Sequence, residues 1–497
     1  MKTVLIGAGY RGRALAVLLR GMPFFELTAV ADPLLGGSPV AGSSVGGSPV
    51  KNCQNRQTPP AFGVGGASKS AENEGAPSRT DAEATSPANP FAGLRVYSDG
   101  PDDYLRMLAE ERPELVFICS PWDCHIPQAL DCLKAGCHVA LEIRGGRELG
   151  EYEPLMAFPG KVFPLENLIF RRDILAVREM VRAGLFGEIV SLRGGYRHDL
   201  RGELVDGEGV LGGDAPAEAA AGPAAAVFGT PASPATAVSE TPAGTLRERP
   251  SECWRGRLYT TENADIYPTH GMAPLCLIAG IHSLASVTAF ASKAAGLKER
   301  LGEGCPAVTL GDIVNTVART ADGTLLSLVH DTTLPRPKSF GFEVQGTRGI
   351  WDEENHRIYI EGRSPFEQWE PDAAYIDEYQ DPMWRRWGAE AAAADHHHGG
   401  MDWMMLKAIE EDLRASAASS DASAPSAAAS IGSIAPSAAP ERSAPSAAAS
   451  ASSTAASAAQ PASAGFTYPA TLADLALWTS ITPLSARSIA SGETVRL

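Results

Sequence analysis

Apolar positions in this chain come in short blocks whose period switches from strand to helix. Thr3-Val4-Leu5-Ile6 forms one such block, the texture of a strand buried on both faces. A helically spaced segment ending near Arg20 follows, then a second block, Leu27-Thr28-Ala29-Val30-Ala31. Beyond a polar interval the alternation resumes. Arg95-Val96-Tyr97 is followed by a helix from Pro101 to about Glu111, the strand Leu115–Cys119, a helix leading to Gly136, and the strand His138–Glu142. Strands alternating with helices predict parallel βαβ crossovers and a doubly wound Rossmann sheet. From Val162 the texture changes. A short strand and a helix over 171–184 lead into a strand that starts at Glu188 and runs to Tyr196–Arg201, and an apolar helix covers about Ala273–Ile281. Alternating segments near 286–291, 312–319, 325–330, 340–345 and 357–361, with Asp322-Gly323 as a hairpin turn, predict a large, mainly antiparallel sheet with one face free for a substrate. One late helix is expected to end at Arg414, and a last one, Leu472–Ser480, to pack back on the fold. The expected class is α/β: a Rossmann domain over 1–150 and an α+β domain over 151–497.

Three stretches carry no sustained period. Residues 36–89, 203–250 and 415–464 are dominated by Gly, Ser, Pro, Ala and Thr, and such compositions cannot bury enough surface to offset their ordering entropy. They read as solvated insertions, and the remaining chain suits two domains. With 42 basic against 59 acidic residues the net charge is −17, which argues against nucleic acid or an anionic membrane as partner. No apolar run is long enough to span a bilayer. The first strand starts at residue 3 and leaves no room for a signal peptide, so a cytoplasmic location is expected. The eight cysteines include no Cys-x-x-Cys pair, which favours reduced thiols over a metal site.

The chemistry concentrates at strand ends. Gly7-Ala8-Gly9-Tyr10-Arg11-Gly12 follows the first strand and opens a helix. In such a turn Gly7 permits the tight bend, Gly9 lets backbone approach a pyrophosphate, and Gly12 lets helix and strand lie close. The helix N-terminus offers free N–H groups to phosphate. Asp32, 25 residues after Gly7, can accept ribose hydroxyls and would repel a 2′-phosphate, which points to NAD over NADP. The loops after later strands gather at the same edge, placing Trp122, His125, Glu142 and Ile143 at the nicotinamide end; for His125 a plain polar helix start fits equally. Tyr267 and His270 share one turn near a helix N-terminus, which disfavours imidazolium and suits a neutral base or proton relay; a structural histidine fits as well. His396-His397-His398 resembles a metal cluster, but adjacent side chains do not converge on one point, so a solvent-facing or substrate-edge loop is expected and no metal. Arg201, Arg255 and Arg171-Arg172 could hold an anionic or polyhydroxyl ligand. No serine nucleophile elbow, phosphate-binding Gly-Lys-Ser loop or zinc spacing is present.

Taken together, Gly7–Gly12 with Tyr10-Arg11, Ala31-Asp32-Pro33, Ser120-Pro121-Trp122-x-x-His125, Leu165-Glu166-Asn167, Gly194-Gly195-Tyr196-Arg197-His198-Asp199-Leu200-Arg201, Trp254-Arg255, Tyr267-Pro268-Thr269-His270-Gly271 and His398-Gly399-Gly400-Met401-Asp402 resemble the Gfo/Idh/MocA oxidoreductases, and within them glycoside hydrolase family 109. Ordinary dehydrogenases of that superfamily carry Glu-Lys-Pro after the fifth strand; Glu142-Ile143-Arg144 stands here, with an apolar residue for the lysine, as in family 109. The resemblance implies a tightly held NAD that takes hydride from sugar C3. The resulting ketone acidifies C2–H, loss of that proton expels the aglycone, water adds, and the hydride returns. It implies NAD contacts from Tyr10, Arg11, Asp32, Trp122, His125, Glu142, Ile143, Asn167 and Tyr267, and sugar contacts from Tyr196, Arg255, Tyr267 and His270. His270 and Tyr267 would share the base roles, and Tyr196 would orient the sugar or protonate the leaving group. The expected substrate is a glycoside of the α-N-acetylgalactosaminide type. Two positions depart from the family: Lys338 stands where a substrate tyrosine is expected, and Arg144 where a proline follows the fifth strand. The competing readings are an NAD-dependent sugar or cyclitol dehydrogenase with exchangeable cofactor, and a non-catalytic NAD-binding regulator. A homo-oligomer is expected by analogy with the superfamily.

Overall fold

The computed structural model describes residues 1–35, 89–205, 254–301, 307–423 and 466–497. Two sheets organise them. The first is six-stranded and parallel: β1 (Lys2–Ile6), β2 (Glu26–Ala31), β3 (Arg95–Tyr97), β4 (Leu115–Ile118), β5 (His138–Leu141) and β6 (Val162–Pro164). Their spatial order is β3-β2-β1-β4-β5-β6. The order reverses between β1 and β4, and the carboxyl ends of the strands at such a switch point are the usual ligand position in doubly wound sheets. Val4, Leu5, Val116, Phe117, Val139 and Ala140 are wholly buried, as helices on both faces require.

The second sheet has nine strands: β7 (Ile189–Arg197), β8 (Ser286–Ala291), β9 (Ile313–Arg319), β10 (Leu325–Asp331), β11 (Glu343–Gly346), β12 (Gly349–Asp352), β13 (Arg357–Ile360), β14 (Glu370–Pro371) and β15 (Val495–Arg496), in the order β14-β13-β12-β11-β7-β10-β9-β8-β15. It is mainly antiparallel, with β7 and β10 the one parallel pair among these strands. One face packs on helices and the other carries exposed Val190, Phe290, Val317 and Leu325. This architecture is the expected Rossmann sheet followed by a large, mainly antiparallel one.

Several bounds differ from the sequence expectation. The helix expected to begin near Ala273 starts at Pro268, because proline is preorganised for the first helical turn. The helix expected to end at Arg414 runs Met401–Ser423; the Ala-rich sequence past Arg414 is a good helix former even though its composition reads as low complexity. The last helix spans Leu472–Ser491, opened by a Thr471/Asp474 capping box and closed by left-handed Gly492. Most of the three low-complexity stretches lies outside the described residues.

Candidate functional site

The glycine turn separates its three roles by geometry. A Cβ on Gly7 would lie 2.6 Å from the Cys119 backbone, and one on Gly12 would lie 2.0 Å from the Gly7 carbonyl oxygen. Both are packing glycines. A Cβ on Gly9 would meet nothing within 4 Å. The space beside it opens where a pyrophosphate would approach, at the start of the Tyr10–Gly21 helix. At the end of β2, Asp32 Oδ2 accepts the Ala8 N–H at 2.6 Å and Oδ1 accepts the Leu34 N–H at 2.8 Å, so the carboxylate borders the turn. Tyr10 is exposed and Ile143 is buried.

Arg11 is the hub of the cofactor end. Its Nε donates to Glu142 Oε2 at 2.8 Å, while Nη1 and Nη2 donate to Asp402 Oδ2 and Oδ1 at 2.5 and 2.9 Å. Asn167 Nδ2 also donates to Asp402 Oδ1, at 2.9 Å, and His398 Nδ1 meets Oδ2 at 2.6 Å. Asp395 accepts the backbone N–H groups of His398 and Asp402. Asp395, His398 and Asp402 thus converge to within 4.8 Å, but the Arg11 guanidinium already supplies the cation. His396 and His397 point to solvent. Two histidines of the expected loop face water, and the third belongs to the ion-pair network.

His125, expected at the nicotinamide end, is wholly buried. Its Nε2 lies 2.7 Å from the Ser120 carbonyl oxygen and its Nδ1 has no hydrogen-bond partner. Burial pushes its pKa down to about 4, so it is neutral at pH 7. Trp122 begins the following helix and meets the Tyr267 ring edge-on, with centroids 4.8 Å apart. This contact joins the helix after β4 to the start of the Pro268–Ala279 helix.

The cluster expected to face the sugar is aromatic. Tyr196 stacks on Tyr267 at 4.8 Å and lies 5.1 Å from the His270 ring. Two glycines bring these groups together. A Cβ on Gly271 would lie 2.8 Å from the Gly195 Cα, and one on Gly195 would lie 2.1 Å from the Val329 carbonyl oxygen. The Pro268–Ala279 helix can therefore sit directly on β7. Tyr196 Oη lies 3.2 Å from His198 Nδ1. His270 Nδ1 lies 2.8 and 3.1 Å from the two oxygens of Glu166, a wholly buried carboxylate at the end of β6. Nδ1 therefore carries the proton and Nε2 is left as the acceptor. The helix-end argument for His270 missed this partner, which lies 104 residues away in sequence. Arg255 lies in the first turn of the Trp254–Thr261 helix, but its side chain lies outside the described residues. Lys338 lies 5.7 Å from the Phe340 ring, which in turn flanks Tyr196 and His270.

The parallel sheet with its glycine turn, followed by a large, mainly antiparallel sheet, defines a protein of the NAD-binding oxidoreductase fold. Solved structures agree on the fold. Levoglucosan dehydrogenase in complex with NADH and levoglucosan matches with a TM-score of 0.54 at 14% identity, covering 100% of this chain and 99% of that one. GenD2 from gentamicin A biosynthesis, in complex with NAD, matches at 0.51 and 13%, covering 100% and 96%. In sequence, the profile of "Glycosyl hydrolase 109, C-terminal domain" matches residues 170–223 and 243–445. A glycosyl hydrolase family 109 protein of Stenotrophomonas maltophilia is 37% identical over 329 residues, covering 63% of this chain and 66% of that protein. An alpha-N-acetylgalactosaminidase of Tannerella forsythia is 32% identical over 340 residues, covering 64% and 66%. The chain belongs to glycosyl hydrolase family 109. It spans just under two thirds of the length of these two relatives.

Proposed function

We propose that this protein is an NAD-dependent glycosidase that cleaves an α-N-acetylgalactosaminide-type substrate through transient oxidation of the sugar ring. The observation that carries this reading is the Glu166–His270 pair beside stacked Tyr196 and Tyr267, with Trp122, at the start of the helix after β4, packed on Tyr267. The residues fit NAD: Gly9 leaves a cradle that a Cβ would fill, Asp32 borders it, and His125 offers a buried nitrogen without a partner. When bound, NAD would supply a reversible hydride acceptor at the sugar. Arg11, Asp32, Trp122, His125, Glu142, Ile143 and Asn167 would hold it, with Tyr10 at the rim.

The chain's own groups would move the protons. With Nδ1–H donated to Glu166, His270 presents Nε2 as a base toward the sugar, and the buried carboxylate stabilises the imidazolium that forms. The Tyr267 phenol would be the second proton-transfer group. Tyr196 would orient the ring or protonate the leaving oxygen, and Arg255 would contact the sugar. The five cysteines among the described residues are unpaired, which fits a reducing, cytoplasmic setting.

The test is to incubate the purified protein, without added cofactor, with p-nitrophenyl α-N-acetylgalactosaminide and a panel of other nitrophenyl glycosides. Nitrophenol release, with NAD recovered from the denatured protein, is the expected result. Silence on every glycoside, with NADH formed from free sugars and added NAD, would move the protein to the dehydrogenases.

A further inference from the structure

Arg144 stands immediately after Ile143 in the loop that follows β5, and its side chain is only 2% exposed. A guanidinium is rarely buried without a carboxylate in hydrogen-bond contact. Here Nη1 donates to Thr482 Oγ1 at 3.0 Å, and Nε and Nη2 have no hydrogen-bond partner. The nearest carboxylate oxygen, Glu262 Oε2, is 3.9 Å from Nη2, and Glu262 is shared with Arg147 at 3.5 Å. The guanidinium carbon instead lies 4.8 Å from the centroid of the Trp122 ring, a cation–π contact in a desolvated setting.

The backbone holds it there. Tyr152 Oη and Thr479 Oγ1 both donate to the Arg144 carbonyl oxygen, at 2.8 and 2.9 Å, and the Gly146 N–H donates to Tyr152 Oη at 2.7 Å. A Cβ on Gly145 would lie 2.8 Å from that same hydroxyl, so the small residues after Arg144 are what let the loop seat against Tyr152. Thr482, which receives Nη1, donates its own hydroxyl to the Asp265 carbonyl oxygen at 2.8 Å. The loop holding Arg144 and the segment leading to Tyr267 are thereby tied to the same helix.

The same Trp122 ring that receives Arg144 also receives Tyr267, 4.8 Å away. We propose that Arg144 is a positioning residue for Tyr267: its buried guanidinium fixes the Trp122–Tyr267 pair and biases the phenol toward its ionised form. A cation near an acid favours the charged conjugate base, and burial leaves that effect poorly screened. Other groups face Tyr267. Asp265 Oδ1 accepts the Tyr267 N–H at 3.3 Å, and burial pushes its carboxyl up to about 7, so its opposing charge is incomplete at neutral pH. His270, backed by Glu166, and Tyr196, joined to His198, lie on the stacked side. Glu262 and Arg147 lie beyond Arg144. The Leu472–Ser491 helix contributes only the hydroxyls of Thr479, Thr482 and Ser485.

The role given to Tyr267 rests on the function proposed above, so the test reads its ionisation directly. The tyrosine ring signals of isotope-labelled full-length protein are titrated by nuclear magnetic resonance, with Tyr267→Phe assigning the signal. Arg144→Met should raise the Tyr267 midpoint by about one pH unit or more, and Arg144→Lys should restore most of it. Glu262→Gln, at a partly exposed position, should move it the other way. Where glycosidase activity is present, the kcat profile should shift with the phenol while KM stays within about two-fold. A midpoint unmoved in Arg144→Met and in Glu262→Gln overturns the proposal. If Arg144→Met does not fold, Glu262→Gln alone decides. Absence of glycosidase activity in the parent protein would instead defeat the proposed function and leave the titration result standing.

Discussion

At the scale of single residues, the Glu166–His270 contact has the most leverage. Glu166 accepts the Leu168 N–H and holds the imidazole from a position with no solvent exposure. Replacing it by glutamine keeps the volume and removes the charge. An amide N–H2 turned toward Nδ1 would also favour the tautomer with the proton on Nε2, which cannot act as a base. Glu166→Gln should therefore lower kcat by about 10²-fold or more and leave KM nearly unchanged; steady-state kinetics beside a melting curve would separate this from unfolding. The pair also shows what sequence reading at this scale can reach. Tyr267 and His270 are three apart and stand out as a unit, and Leu165-Glu166-Asn167 is visible as a motif, but nothing local says that Glu166 turns toward His270. Long-range pairing is set by how β6 and the Pro268–Ala279 helix pack, which no local period encodes. Arg144 is hidden for a similar reason, because Thr482, which accepts its guanidinium hydrogen bond, comes from a helix more than 300 residues later.

At the scale of elements, the strand-turn-helix unit was legible because each part has its own signal: an apolar run, glycines at fixed spacing, and an acid at the end of the next strand. What the spacing leaves open is which glycine packs and which serves a ligand, and the Cβ positions separate them. Gly12→Ala would drive a methyl to 2.0 Å from the Gly7 carbonyl oxygen. It should destabilise the protein by about 1–3 kcal/mol despite alanine's better helix propensity. Gly9→Ala meets nothing within 4 Å. It should leave the melting temperature of the cofactor-free protein nearly unchanged and sharply reduce the NAD recovered with the purified protein. Equal losses of stability in the two variants would refute the division of roles. The second sheet was legible in its alternation and its Asp322-Gly323 turn, but its parallel β7–β10 pairing was not. That register depends on Gly195 passing against Val329, a tertiary contact with no period of its own.

At the scale of the whole molecule, the glycine turn is tied to a helix from late in the chain through a charge network centred on Asp402. This residue opens the Met401–Ser423 helix, is nearly fully buried, and receives Arg11 from the glycine turn through two hydrogen bonds. Burial alone would raise its carboxyl pKa, but Arg11 and His398 outweigh that and hold it well below the ordinary carboxylate range. A depressed folded-state value means the stabilisation is present above the unfolded carboxylate pKa of about 4 and is lost as pH falls below it. Asp402→Asn removes the charge while Arg11 stays buried with Glu142 as its remaining carboxylate partner. Breaking one side of a buried pair typically costs about 3–5 kcal/mol, and the surviving Glu142 contact should keep this variant near the lower end. Asn167→Ala, which removes one hydrogen bond to the same carboxylate, should cost only about 1 kcal/mol. Because Arg11 is fixed beside the glycine turn by a carboxylate from that late helix, Asp402→Asn should also weaken NAD retention more than Asn167→Ala does. Denaturant unfolding at pH 7 with and without added NAD would check both effects. Equal stability of Asp402→Asn and the parent protein would show that Glu142 alone suffices to hold Arg11, and that the contact between the glycine turn and the late helix does not depend on this network.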